Sequence, residues 1–156
     1  MPGLFLHKGG KSMELTVRPA RLEDSQALTR LNREEMGYDY PEEKTRERLT
    51  DLLGDPTHCI LVAEAGGEVV GYLHLEWYEL LYADPMVNVM GIATASSCRR
   101  QGVGSTLLAA GEEWARSVGV TAVRLVSGET RKGAHAFYQH MGYTGNKLQR
   151  NFKKLL

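Results

Sequence analysis

The chain has 156 residues, 42% of them hydrophobic, the length and composition of one domain with one buried core. Its 19 Lys and Arg residues cancel its 19 Asp and Glu residues, so no global field favours nucleic acid or an anionic membrane, and charge recognition must be local. Cys59 and Cys98 lack CxxC or metal-like spacing and read as free thiols of a reduced, cytoplasmic protein, and no metal site is expected. No segment approaches the roughly 18 to 20 consecutive apolar residues of a membrane span.

Residues 1–12 are too short and lack the apolar core and cleavage site of a secretory signal; they read as a flexible leader before a single domain over 13–156. Leu15 to Arg18 reads as a first strand. Asp24 is placed to cap a helix that carries Ala27, Leu28 and Leu31 on one face. An aromatic loop, Met36 to Tyr40, leads to a second helix near Pro41, with Leu49, Leu52 and Leu53 before Gly54 and Pro56 stop it. Cys59 to Glu64 is an apolar run, and residues 65–68 form a hairpin turn. From Val69 to Tyr78 the pattern alternates, which places Val69, Gly71, Leu73, Leu75 and Trp77 on one face and Val70, Tyr72, His74, Glu76 and Tyr78 on the other.

Residues 86–95 form another strand, and the glycine turn Arg99-Arg-Gln-Gly-Val-Gly104 follows at once. Gly102 and Gly104 carry no Cβ, so the backbone can bring several N–H groups close to phosphate oxygens. The next helix, with Leu107, Leu108, Gly111, Trp114, Ala115 and Val118 at helical spacing, aims its positive dipole end at the same point, and Arg99 and Arg100 add full charges. An anion site follows. Gly119 ends that helix, Ala122 to Val126 is a strand, Gly133 to Met141 a helix and Gln149 to Lys154 a last strand. A strand meander followed by alternating strands and helices implies a mixed α/β sheet.

Three stretches in this order, Met86-Val-Asn-Val-Met-Gly-Ile-Ala-Thr-Ala95, Cys98-Arg-Arg-Gln-Gly-Val-Gly-Ser-Thr-Leu-Leu108 and Ala134-His-Ala-Phe-Tyr-Gln-His-Met-Gly-Tyr143, resemble the GNAT superfamily of acyl-CoA-dependent N-acetyltransferases. The resemblance implies a mixed, mostly antiparallel central sheet with flanking helices, and a V-shaped splay between the strands on either side of the glycine-turn helix. It implies acetyl-CoA as cosubstrate, with its pantetheine arm along the main chain of Ile92 and Thr94 and its pyrophosphate on Gln101, Gly102, Val103, Gly104 and Ser105, beside Arg99 and Arg100. Direct transfer to an amine needs no acyl-enzyme, so Cys98 has no catalytic part.

Direct transfer requires that the amine be neutral at attack and that the departing thiolate be stabilised or protonated. Tyr138 matches the tyrosine that serves the family as general acid. For the base, Glu76 on the polar strand face is the first candidate, with Glu79 and Asp84 close by and His74 able to act through water. Arg131 stands where the family often places Asn, seven residues before the motif tyrosine, and Arg131-x-x-Ala-His-x-Phe-Tyr138 is similar to aminoalkylphosphonate acetyltransferases. The expected acceptor is a primary amine on a small molecule, drawn by the acidic and aromatic residues of the Met36–Tyr40 loop and of the segment from Glu76 to Asp84. A protein or peptide N-acetyltransferase and a non-catalytic acyl-CoA sensor are the alternatives. Homodimers are common among similar enzymes, but no sequence feature here fixes an interface.

Overall fold

Apolar residues at every second position and glycine at the turns build the first part of the chain into sheet. The structure, a computed structural model, describes residues 3–145 and 147–156. It divides into two compact units, Met1–Leu125 and Val126–Leu156. In the first, β1 (Leu4–Lys8), β2 (Lys11–Pro19), β3 (His58–Ala65), β4 (Glu68–Leu80), β5 (Ala83–Thr94) and β6 (Val123–Arg124) form one six-stranded sheet in sequence order. The first five strands pair antiparallel, and β6 runs parallel to β5. Ala65 faces Glu68 across the expected hairpin turn.

Within the expected leader of residues 1–12, residues 4–12 do not stand apart: Leu4–Lys8 pairs with residues 11–15 of β2, and Leu6 is fully buried, while residues 1 and 2 lie outside the described residues. The run Leu4-Phe-Leu-His-Lys8 is short and does not alternate cleanly between apolar and polar residues, which is why it is easily passed over in the sequence. At the other end, residues 147–156 form no strand and lie exposed, in place of the expected one over 149–154. The strand expected over 122–126 contracts to Val123–Arg124.

Two helices cover one face of the sheet. Leu28 and Leu31 of α1 (Ser25–Met36) and Leu49 of α2 (Glu42–Leu53) pack with Ile60, Val62, Val69 and Ala93. On the other face α3 (Val103–Ser117) sets Val103 and Leu107 over Gly71, and buries Leu107, Leu108 and Ala115. Each fully buried Leu or Val contributes about 1.5–3 kcal/mol of transfer free energy. Val69 breaks the expected face assignment. The β3–β4 register pairs Glu64 with Val69 but Ala63 with Gly71, so Val70 is an extra residue, and this bulge turns Val69 to the side of Tyr72.

Asp24 occupies the N-cap position of α1, as expected, but its side chain makes no capping hydrogen bond to that helix. Its carboxylate takes two hydrogen bonds from the Arg18 guanidinium, at 2.8 Å each, and one from the Arg21 N–H at 2.7 Å. Arg18 holds the Asp24 carboxyl below the usual carboxylate range, and the pair ties α1 to β2. The partially buried Arg18 outcompetes the helix N-terminus because a full charge binds a carboxylate more strongly than an amide does.

The second unit holds α4 (Lys132–His140). Gly128 caps its approach by accepting the Arg131 N–H at 3.1 Å, and its carbonyl also lies 2.8 Å from His135 Nε2.

Candidate active site

Residues 95–102 join β5 to α3. A single 3-10 turn, Ser96–Cys98, ends with Cys98 buried in the core, and the chain then passes Arg100 and Gly102 in left-handed conformation, at φ 62° and 83°. Gly102 needs that conformation, which a Cβ would penalise by about 1–2 kcal/mol. A Cβ there would also come within 3.1 Å of Leu4 Cδ2. The Ser105 and Thr106 hydroxyls both donate to the Gly102 carbonyl. Among the described residues, the N–H groups of Arg100 to Ser105 have no acceptor. Unpaired N–H groups at a helix start, in alternating hand, form an anion-binding concavity.

Two contacts that the motif does not announce hold this turn. Glu35 of α1, its side chain buried, accepts the Ser96 N–H at 2.9 Å and binds Arg99 Nη2 at 2.9 Å. Arg99 therefore already has a carboxylate partner, while Arg100 is exposed. The Gln101 side-chain amide clasps the His7 peptide of β1, accepting its N–H at 2.8 Å and donating to its carbonyl at 3.3 Å. That leaves the Gln101 main-chain N–H free for an anion.

Upstream, β5 pairs with β6 only at Val87 and Asn88. From Val89 to Thr94, including Ile92 and Thr94, its outer edge has no strand partner among the described residues. A bulge sits at the start of this edge: Gly91 pairs with His74 and Val89 with Leu75, so Met90 is extra and half exposed. An open strand edge running into an amide-lined turn fits a pantetheine arm followed by a pyrophosphate, and those residues suit acetyl-CoA.

On the α1–α2 face lies a cavity of about 210 Å³, lined by Leu28, Asn32, Tyr40, Thr45, Arg48, Leu49, Leu52, Ile60, Tyr72 and His74. It abuts β5 through Tyr72: a Cβ on Gly91 would lie 3.3 Å from the Tyr72 hydroxyl, close enough that the hydroxyl would have to give by a few tenths of an ångström. The hydroxyl donates to Asn32 Oδ1 and approaches Met36 Sδ at 3.4 Å, and burial pushes its pKa up to about 12. Arg48 is paired with Asp51 at 2.7 Å.

His74 meets His58 of β3, whose Nδ1 lies 2.9 Å from His74 Nε2. Burial first, and then the neighbouring His58, lower the His74 pKa to about 4. Glu76, the expected base, is not among the lining residues; its Oε1 lies 3.8 Å from His58 Nε2, and Asp55 Oδ2 lies 3.9 Å from the same nitrogen. Glu79 and Asp84 are exposed near the β4–β5 turn. The sequence signal for Tyr72, His74 and Glu76 was their shared strand face; His58, Asn32 and Glu35 carry none, since each meets the site only through tertiary packing.

In the second unit Tyr138 is buried, with its ring 5.4 Å from Phe137 and 6.2 Å edge-on from Tyr143. Burial raises the Tyr138 pKa above the ordinary tyrosine range, against an opposing pull from the Arg131 charge. The phenol is therefore held in its protonated form. Cys59, half-buried, is pushed up to about 11 by burial. Among the described residues no group of three or more His, Cys, Asp or Glu is set to hold a metal ion, and no helix is long and apolar enough to cross a membrane.

The Acetyltransferase (GNAT) family model matches residues 25–143, and the chain belongs to that family. It is an N-acetyltransferase with acetyl-CoA as cosubstrate. An aminoalkylphosphonate N-acetyltransferase from Salmonella typhimurium is 30% identical over 128 residues, covering 81% of this chain and 83% of that one. An N-alpha-acetyltransferase from Sulfurisphaera tokodaii is 29% identical over 150 residues, covering 91% and 87%. The fold matches that of an aminoglycoside N-acetyltransferase in complex with CoA, with TM-score 0.82 at 17% identity, covering 92% of this chain and 97% of that one.

Proposed function

We propose that this enzyme acetylates the primary amine of a small molecule and that the α1–α2 cavity receives the amine-bearing end. The observation that carries this reading is the cavity's size and lining. About 210 Å³ admits a compact aminoalkyl group, and its apolar walls surround a few polar atoms from Asn32, Tyr72 and His74. The small acceptors named in relatives such as the aminoalkylphosphonate enzyme support it.

In this reading the main chain of Ile92 and Thr94 holds the pantetheine arm as an added strand. The N–H groups of Gln101, Gly102, Val103, Gly104 and Ser105 hold the pyrophosphate, with Arg100 and the Glu35-paired Arg99 at its rim. The amine nitrogen forms a C–N bond to the acetyl carbonyl carbon, the C–S bond breaks, and Tyr138 gives its phenolic proton to the departing sulfur. An ammonium acceptor gives up two protons: the first passes before attack to the polar face of β4, which carries His74 and Glu76, and the second, released as the amide forms, restores the Tyr138 phenol. A cytoplasmic setting suits two free thiols.

The similarity to the N-alpha-acetyltransferase supports a second reading, in which a peptide amino terminus enters the same cavity. A panel of small amines and short peptides, followed by release of the CoA thiol, tests both. Turnover of small amines and not of peptides is expected. Turnover of peptides alone selects the second reading, and acetyl-CoA binding without turnover of any amine selects the sensor.

A further inference from the structure

The carboxylates Asp55 and Glu76 lie 3.9 and 3.8 Å from His58 Nε2, and His58 Nδ1 lies 2.9 Å from His74 Nε2. These distances favour one arrangement of the protons. Two carboxylates at one edge of His58 favour a proton on its Nε2, because a lone pair there would face two negative charges. His58 Nδ1 is then the acceptor, and His74 must donate from Nε2. His74 is left with a lone pair on Nδ1, which has no hydrogen-bond partner among the described residues, on a side chain that lines the cavity.

We infer that Asp55, Glu76, His58 and His74 form a proton relay that deprotonates the acceptor, with His74 as the base at the cavity and His58 as the group that ends up charged. This inference rests on the cavity being the acceptor site. The acceptor's ammonium group gives a proton to His74 Nδ1, and His74 passes its Nε2 proton to His58 Nδ1. His74 finishes neutral, protonated on Nδ1. His58 finishes as imidazolium, with its charge beside Asp55 and Glu76, and the amine nitrogen keeps the electron pair that attacks the thioester.

The relay resolves a conflict in the site. Burial holds the His74 pKa near 4, so His74 alone would be a poor resting place for a proton. Moving the charge to His58 puts it beside the Asp55 and Glu76 carboxylates, 3.9 and 3.8 Å from Nε2. Across the cavity the other ionisable groups are Tyr72 of β4, Tyr40 of the α1–α2 loop and Arg48 of α2, the last already paired with Asp51. Glu76 acts here as a positioning residue through His58.

Two measurements test the relay. Long-range 1H–15N correlation of the imidazoles in the unliganded wild-type protein at neutral pH should show His74 protonated on Nε2 with a bare Nδ1, and the opposite tautomer overturns the relay whatever the acceptor is. The second uses His58→Asn, whose Oδ1 can accept the His74 hydrogen bond but cannot take the proton. With acetyl-CoA and 2-aminoethylphosphonate as acceptor, kcat at neutral pH should fall about 100-fold. That loss should shrink toward about pH 10, where much of a primary amine is already neutral. Wild-type turnover, or a loss equal at every pH, overturns the relay. If the wild type does not acetylate this amine, the acceptor assignment fails for it, and the tautomer measurement still decides the relay.

Discussion

The glycine turn and the α1–α2 cavity solve recognition in opposite ways. The turn proposed to hold phosphate presents consecutive backbone N–H groups, from Arg100 to Ser105, so its chemistry is written in one run of sequence. The cavity is assembled from α1, the following loop, α2, β3 and β4, and its polar atoms are side chains from residues as far apart as Asn32 and His74. A ligand common to many enzymes can be held by backbone geometry. A ligand particular to one enzyme needs side chains, and those can change without disturbing the turn.

That contrast can be broken experimentally. The largest effect is expected from Tyr138→Phe, which retains the ring packing and removes the proton donor. Turnover should fall about 100-fold to 10,000-fold with acetyl-CoA affinity intact, as steady-state kinetics beside calorimetric binding would show. Wild-type turnover with chemistry rate-limiting would falsify the assignment.

Next is the frame that holds the assembled region. Asp24→Ala removes the bidentate partner of Arg18 but leaves Glu64 bound to its Nε at 2.7 Å, and should cost about 1.5–3 kcal/mol in denaturant unfolding. The same pair predicts an acid limb. The folded-state pKa of Asp24 is lowered, so its contribution is complete above the unfolded value of about 3.9 and is lost as pH falls through the lower folded value. A wild-type protein whose stability does not decline across that window more steeply than the Asp24→Ala variant's would show that the pair is not coupled to folding.

The turn should respond locally. Replacing Gly102 and Gly104 together by Val should weaken acetyl-CoA binding about 100-fold by closing the backbone approach to phosphate, with the His74 tautomer unchanged. If affinity survives in a folded double variant, the phosphate site lies elsewhere. The smallest effect is expected for Glu35→Gln, which can still accept from the Ser96 N–H but loses the charge facing Arg99. Freed from its partner, Arg99 should bind acetyl-CoA phosphate somewhat better, by about two-fold to five-fold, and the gain should fade at high salt. Weaker binding in Glu35→Gln would mean that the carboxylate's main task is to shape the turn.

Much of the architecture was legible because it follows from period and punctuation: the α1 and α2 stripes, the 65–68 hairpin, the long alternating β4 and the glycine turn before α3. The misreadings share a cause. Val69 lies on the unexpected face because one inserted residue reverses a period-two pattern, and nothing in the sequence marks Val70 as that residue. Asp24 sits at the helix start, yet its carboxylate is taken by Arg18, six positions earlier, and not by the helix. His58 lies in an apolar run and acquires meaning only when β3 and β4 align it with Glu76 and bring His74 within reach. Contiguous backbone chemistry can be read from one strand of text, whereas chemistry that depends on register must wait for the fold.

The clasp between Gln101 and His7, with Leu4 against Gly102, has a practical consequence for handling the protein. An affinity tag or fusion partner joined directly ahead of β1 sits only a few residues from the turn assigned to the cosubstrate's phosphates. Such a tag is expected to alter the apparent cosubstrate affinity, so preparations for binding measurements should carry the tag at the carboxyl terminus or have it cleaved.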